Sequence, residues 1–369
     1  MTNKICHITT VHSRYDVRIF HKECKSLSKY YEVYLIVADG KGDEEKDNVH
    51  IIDIGLRQRS RLKRAKIDSK KALKKAIELN CELYHFHDPE LISIGLKLKK
   101  ENKKVIFDIH ENTDLQILEK EWIPFFLRKI VSKTFNLYEK YTCKKFDSLI
   151  VPQYAMYKKF SKINKVTVIG NFPARNLRNK LSIEKKHNKY KLLYSGAINK
   201  ARGLWNMVDL IKELKKINSA YSLTIAGNIS SNLLSELKEH SAWSNIEYLG
   251  FLSKDDIQKV YEEHSLGLIM FNNVGQYFMA YSLKLFEYMQ NGLTVIMPNF
   301  GDWINFNNTY KTGYNIDVKD NEKTAQLINS LSDDVFHSFS EHNINSVNEN
   351  FTWESQEFKI VNLYNEIFK

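Results

Sequence analysis

Tyr281-Ser282-Leu283-Lys284-Leu285-Phe286-Glu287-Tyr288-Met289-Gln290-Asn291-Gly292-Leu293-Thr294-Val295-Ile296 reads as a short helix running straight into a buried strand. Ser282 is of the type that caps helix N-termini, and Asn291-Gly292 is a helix stop. Leu283, Phe286 and Tyr288 or Met289 recur at helical spacing and form an apolar face. Lys284 and Glu287 lie three apart and are neighbours on the helix surface. The polar residues 272–280 feed the helix N-terminus, whose N–H groups and positive dipole end suit a diphosphate. A carboxylate one turn further in, Glu287, suits the two hydroxyls of a ribose. The stretch therefore reads as a nucleotide site, against the alternative of an ordinary surface ion pair worth ~0.3–0.5 kcal/mol.

Outward from this stretch, strands and helices alternate through the second half. Strand-like segments at 190–196, 222–227, 246–250, 266–270, 294–298 and 313–316 are interleaved with helical patterns at 204–217, 231–240, 255–263 and 322–331. The first half does the same, with strands at 5–10, 32–37, 49–54, 83–87, 104–109, 148–151 and 165–169 and helices at 17–30 and 88–100. Such alternation implies an α/β chain of parallel sheets with helices on both faces. Ligands of such sheets bind beyond the carboxyl ends of the strands. His12, His87 with Asp88, and His110 with Glu111 all fall at those ends. Residues 176–191 are polar and basic and break the pattern. The expected division is a first domain at 1–172, a linker at 173–190, a second domain at 191–350 and a terminal amphipathic helix at 351–369, which suits a chain of 369 residues.

Residues 1–170 hold 34 Lys and Arg against 22 Asp and Glu, a net of +12, while the remainder carries −1. That asymmetry points to an anionic partner for the first half, with a solvated lysine-rich surface as the alternative. The basic run 57–75 has only Asp68 as an acid and reads as a mobile solvated loop leading into a helix ending near residue 79. Residues 122–131, Trp-Ile-Pro-Phe-Phe-Leu-Arg-Lys-Ile-Val, combine aromatic, apolar and basic character as interfacial elements do, although a helix packed on its own domain is the favoured reading. Cys6, Cys24, Cys81 and Cys143 have no paired or metal-type spacing and read as reduced thiols. No secretory leader pattern is visible, and no apolar run approaches the ~20 residues that span a bilayer. The expectation is a cytoplasmic protein, peripheral at the membrane and not bound to nucleic acid.

Gly196-Ala197-Ile198-Asn199-Lys200-Ala201-Arg202-Gly203 forms a strand-to-helix turn whose glycines let backbone N–H groups approach an anion, with Arg202 or Lys200 to neutralise it. It is neither a P-loop nor a GxGxxG turn. Taken with Asp16-Val17-Arg18-Ile19-Phe20, with Tyr84-His85-Phe86-His87-Asp88-Pro89-Glu90-Leu91, with Phe107-Asp108-Ile109-His110-Glu111, with Ile225-Ala226-Gly227 and with the opening stretch, the chain resembles the retaining family 4 glycosyltransferases, the bacterial group 1 enzymes of capsule, O-antigen and exopolysaccharide assembly.

The resemblance implies a GT-B fold: two Rossmann-like parallel-sheet domains facing a cleft, with the C-terminal helix crossing back to the first domain. It makes Glu287 the ribose ligand, Arg202 a clamp on the diphosphate and Lys284 a further positive charge. Gly196 and Ser282 lie at the phosphate turn and the helix start, and Phe251 and Leu252 lie where the family places a base-contacting loop. His110 matches the histidine facing the donor sugar, and Asp16, His87 and Asp88 are candidates for the acceptor side. His110, Arg202 and Lys284 would carry catalysis, the latter two by stabilising charge on the leaving diphosphate.

The resemblance further implies a nucleotide-sugar donor, a lipid-linked saccharide acceptor at the inner face of the cytoplasmic membrane, and no cofactor or metal, in keeping with the lack of an Asp-x-Asp motif. The sequence departs from the family at Met279, where the first Glu of its Glu-x7-Glu motif would stand. It departs also at Ala197, in place of a basic residue, and at His12-Ser13-Arg14-Tyr15, in place of a glycine pair. The competing readings are a nucleotide-sugar epimerase on the same scaffold and a non-catalytic anion- or membrane-binding protein. His110 as a strand-end cap, and Asp16 or Asp88 as helix caps, are the corresponding structural alternatives.

Overall fold

The computed structural model describes residues 3–120, 122–175, 188–279 and 281–369. The interruption expected at 176–191, and with it most of the proposed linker, lies largely outside the described residues, as does Ala280. Two compact units emerge, one of residues 1–171 with 353–369 and the other of residues 172–352.

The first unit is built on eight strands: β1 (Lys4–Ile8), β2 (Glu32–Val37), β3 (Glu44–Lys46), β4 (Val49–Asp53), β5 (Leu83–Phe86), β6 (Lys104–Asp108), β7 (Ser148–Val151) and β8 (Val166–Val168). Their order is β3-β4-β2-β1-β5-β6-β7-β8, and every pair is parallel except the β3–β4 edge. Side chains alternate across the sheet as the pleat requires. Cys6, Ile8, Tyr84, Phe86 and Phe107 enter one core with Ala72, Ala76 and Leu98. Ile5, Leu83, Ile106 and Ile150 enter the other with Phe20, Trp353, Ile360 and Tyr364. The terminal helix Trp353–Phe368 thus closes the second face of the first sheet, and Trp353 Nε1 donates to Ser26 Oγ at 2.9 Å.

The second unit holds six parallel strands, β9 (Lys191–Ser195), β10 (Ser222–Ala226), β11 (Ile246–Gly250), β12 (Leu266–Leu268), β13 (Thr294–Pro298) and β14 (Gly313–Ile316), in the order β11-β10-β9-β12-β13-β14. In each sheet the strand order reverses beside the first strand, between β1 and β5 in one and between β9 and β12 in the other. The crevice at such a switch point is where open α/β sheets bind ligands.

Several expectations need correction. The basic run is not a loop: Arg61–Lys63, Arg64–Asp68 and Ser69–Leu79 form consecutive helical segments. Asp68 is buried and accepts the Gln58 N–H at 2.8 Å, and Ala72 and Ala76 supply the inward stripe while the lysines face water. The first helix begins at Ile19, is widened to a π-helix through Cys24 and ends at Leu27. Residues 122–131 pack on their own domain only in part, through the buried Ile123 and through Arg61 over the Trp122 ring. The helix Phe125–Cys143 buries only Glu139, Thr142 and Cys143, while Trp122, Phe125, Phe126 and Ile130 are exposed. The helices Tyr154–Phe160, Asp302–Tyr310 and Asp333–Asn350 have no counterpart in the sequence reading. Among the described residues, no helix is long and apolar enough to cross a membrane.

Candidate active site

The helix Leu283–Gln290 occupies the place expected of it, at the switch point of the second sheet. Ser282 has the extended backbone of an N-cap, but its side chain makes no cap bond. Lys284 points inward rather than along the surface. Its Nζ sits 3.8 Å from the Tyr194 ring centroid and 5.2 Å from that of Phe271. It is buried with no hydrogen-bond partner. Burial holds its pKa well below the usual amine range, the Arg202 guanidinium adds to the shift, and Glu287 opposes it.

Gly196, at the exposed carboxyl end of β9, makes room for that amine. Its φ is +112°, and a Cβ there would lie 3.1 Å from Lys284 Nζ. Gly203, at φ +80°, opens the helix Leu204–Ile217 where a Cβ would collide with the Met270 carbonyl at 1.8 Å. Between these glycines, Arg202 donates to the Tyr277 hydroxyl (3.3 Å) and the Ala197 carbonyl (3.2 Å). Lys200, the other cation of this turn, pairs with Glu236 at 3.3 Å. The Tyr261 hydroxyl donates to Glu287 Oε2 at 3.2 Å and lies 3.0 Å from Ser195 Oγ, which ties the carboxylate to the end of β9. Phe251 is 76% exposed beyond β11, with Leu252 half-buried beside it.

Gly196, Arg202, Lys284 and Glu287 are therefore brought together, two cations and one carboxylate around the end of one strand. Tyr194, Phe271, Tyr261 and Tyr277, which complete the cluster, were missed. Tyr194 and Phe271 meet because β12 lies beside β9, and Tyr261 and Tyr277 join through their hydroxyl contacts with Glu287 and Arg202.

In the first unit the switch point gathers histidines. Asp88 Oδ2 accepts the Thr10 N–H at 2.6 Å and the Thr9 hydroxyl at 3.0 Å, and Asp88 Oδ1 lies 3.0 Å from His12 Nδ1. Asp88 thus holds the loop after β1 and does not cap the helix that follows it. Burial opposes ionisation of this pair, yet their mutual contact lowers the Asp88 pKa and raises that of His12. Asp16 is a helix cap: its Oδ1 accepts the N–H groups of Arg18 (2.8 Å) and Ile19 (2.9 Å). His110 Nε2 lies 3.0 Å from Asp108 Oδ2 and 3.1 Å from His87 Nδ1, so the ring is oriented from beneath by a buried carboxylate. Burial would raise the Asp108 pKa, but Arg18 and His110 hold it well below the ordinary carboxylate range. His87 is itself buried, and burial lowers its pKa to about 4.

Residues 176–345 match the family model for group 1 glycosyl transferases, and residues 17–172 match that for glycosyltransferase family 4. The chain is a glycosyltransferase of the GT-B fold. Sucrose-phosphate synthase from Thermosynechococcus elongatus is similar over 99% of both chains, with a TM-score of 0.78 at 15% identity. Anabaena HepE in complex with UDP-glucose has a TM-score of 0.72 at 12% identity over 98% of this chain and 99% of that one. A glycosyltransferase from Rickettsia africae has a TM-score of 0.70 at 17% identity over 100% and 99%. At such identities these neighbours establish the fold. Among curated proteins none matches the chain.

Proposed function

We propose that this enzyme moves a sugar from a nucleotide-sugar donor to a lipid-linked glycan acceptor in surface polysaccharide assembly. It would act from the cytoplasmic side as a peripheral membrane protein, with retention of configuration and no metal ion in the transfer step. Lys284 carries the donor half of this reading. A buried amine with no acceptor, beside Arg202 and Gly196, calls for an anionic partner, and the diphosphate of a nucleotide donor would supply one. Glu287 is placed for ribose hydroxyls, and exposed Phe251 offers a face to a base. The HepE complexes with UDP and UDP-glucose make uracil the first base to test. As the sugar–phosphate bond breaks, Arg202 and Lys284 stabilise the charge growing on the leaving group. His110, held by Asp108, stands for the sugar-facing histidine, and the loop fixed by Asp88 for the acceptor side.

Thermal unfolding with UDP-, GDP-, ADP- and TDP-sugars tests the donor half. One class should stabilise the wild type by ~2.7 kcal/mol at 100 times its Kd, and Glu287→Ala should lose that shift. Stabilisation by none of them, or a full shift in the variant, would sink the reading.

The lipid-linked acceptor is supported by the helix Phe125–Cys143. Its exposed Phe125, Phe126 and Ile130 stand with Arg128 and Lys129, and Trp122 precedes them. A groove of ≈ 430 Å³ on the same helix is lined by Lys129, Lys133 and Lys140 with Leu118 and Leu137. Apolar burial at the headgroup boundary, with ~1 kcal/mol per basic residue near an anionic surface, is the physics of interfacial binding. Changing Phe125 and Phe126 to Ser and Lys129 to Glu together should cut co-sedimentation with phosphatidylglycerol vesicles more than about tenfold and leave donor binding intact. Undiminished sedimentation would exclude this helix as the contact.

A further inference from the structure

The face of the first sheet that carries Ile5, Leu83 and Ile106 turns polar toward the carboxyl ends of the strands. His7 and His85 are register partners across β1 and β5, and His87 follows two residues on, so the three share that face. The widened turn Ile19–Cys24 carries Glu23, and the terminal helix carries Tyr364, into the same buried layer. Exposure is 0% for His7, Glu23, His85 and Tyr364 and 1% for His87. Polar groups buried this deeply are expected to be paired. Yet both carboxylate oxygens of Glu23, and Nε2 of His85, have no hydrogen-bond partner. Arg18 Nε lies 3.0 Å from Glu23 Oε1, but its hydrogen bonds go to Asp108 and the Ile169 carbonyl.

One ligand-capable atom from each of His7, Glu23, His85 and His87 lies within 4.8 Å of all the others. His7 Nδ1 is 3.0 Å from His87 Nε2 and 4.0 Å from Glu23 Oε2. Two nitrogens on one tetrahedral zinc, each at ~2.0–2.1 Å, stand ~3.3 Å apart. The far side of every imidazole is already engaged. The Tyr364 hydroxyl is 3.1 Å from His7 Nε2 and 2.8 Å from His85 Nδ1, and its oxygen can accept from both. His87 Nδ1 lies 3.1 Å from His110 Nε2 and 3.5 Å from Asp108 Oδ2. Outer hydrogen bonds of this kind are what orient metal-ligating histidines.

We infer that His7, His85, His87 and Glu23 form a closed, four-ligand site for a zinc-type divalent cation, structural in role, within the first unit. Three imidazoles and a carboxylate suit zinc, and a full set of protein ligands is the mark of a structural site. The local charge agrees. Glu23 and Asp108 share the one Arg18 guanidinium, and a divalent cation compensates the second buried carboxylate.

The test uses the full chain, purified without a metal-affinity tag. Elemental analysis should find about one zinc per chain. After chelation, returning Zn²⁺ should raise the unfolding temperature, and Co²⁺ should give the visible absorption of a four-coordinate centre. His85→Gln and Glu23→Gln should each lose both signals while keeping the nucleotide-dependent stabilisation of the second unit. Tyr364→Phe keeps all four ligands and should weaken zinc binding ~10–100-fold. That gives a readout even if a ligand variant misfolds. A folded chain that carries no zinc and gives no cobalt bands would overturn the inference, as would retention of those bands in His85→Gln.

Discussion

Lys284→Met is expected to cost the enzyme its donor while making the second unit more stable. The wild-type amine lies against the Tyr194 and Phe271 rings with no acceptor. Its burial disfavours the charged form, and Arg202 adds repulsion. In the free protein this side chain is a liability, which the proposed diphosphate would offset. Methionine fills a similar volume and makes favourable sulfur–aromatic contacts, so stability should rise by about 1–2 kcal/mol, as at other sites where function holds a strained group. Donor turnover should fall ~10²–10³-fold, the usual cost of removing one preorganised charge from a developing anion. Calorimetric melting and donor hydrolysis on the same samples read both quantities. Nucleotide binding should also take up a proton, because anionic oxygens raise the pKa that burial lowers. Affinity then falls as pH rises through the amine's pKa in the complex. A variant that melts earlier and still turns over would make Lys284 a structural residue.

The sequence made Lys284 and Glu287 neighbours correctly and set them on a helix whose bounds, Leu283–Gln290, the structure shares. It could not say that Lys284 turns inward. That depends on Tyr194 and Phe271, which reach the amine only because β12 lies beside β9. The same limit applies in the first unit. His85 and His87 share a face by local alternation, but His7 joins them only because β1 pairs with β5. Glu23 escapes a helical count altogether, because the turn that carries it is wound wider than 3.6 residues. The basic run 57–75 looked like a loop because its lysines hide a stripe as slight as Ala72 and Ala76. For Trp122 and the helix after it, periodicity marks an apolar face and is silent on whether anything covers it.

Arg18→Leu should be the most damaging single change in the first unit. The guanidinium is only 5% exposed and holds three elements at once. It donates to both oxygens of Asp108 at 3.0 and 3.1 Å, donates to the Ile169 carbonyl at 3.0 Å, and lies 3.0 Å from Glu23. Leucine fills part of the space but strips the buried Asp108 and Glu23 of their shared guanidinium and leaves the Ile169 carbonyl without its donor. Removing one partner of a buried charge network costs about 3–5 kcal/mol. At ~2–4 °C per kcal/mol, calorimetry should show the first unit's transition fall by roughly 6–20 °C while nucleotide-dependent stabilisation of the second unit persists. Arg18→Lys should rescue little, because a single ammonium cannot reproduce the forked contact with Asp108. Asp108→Asn placed on Arg18→Leu should recover part of the loss by removing the stranded charge. If the double variant is instead as unstable as the two single losses added together, Arg18 and Asp108 are uncoupled, and the buried pair is not what holds β6 to the first helix.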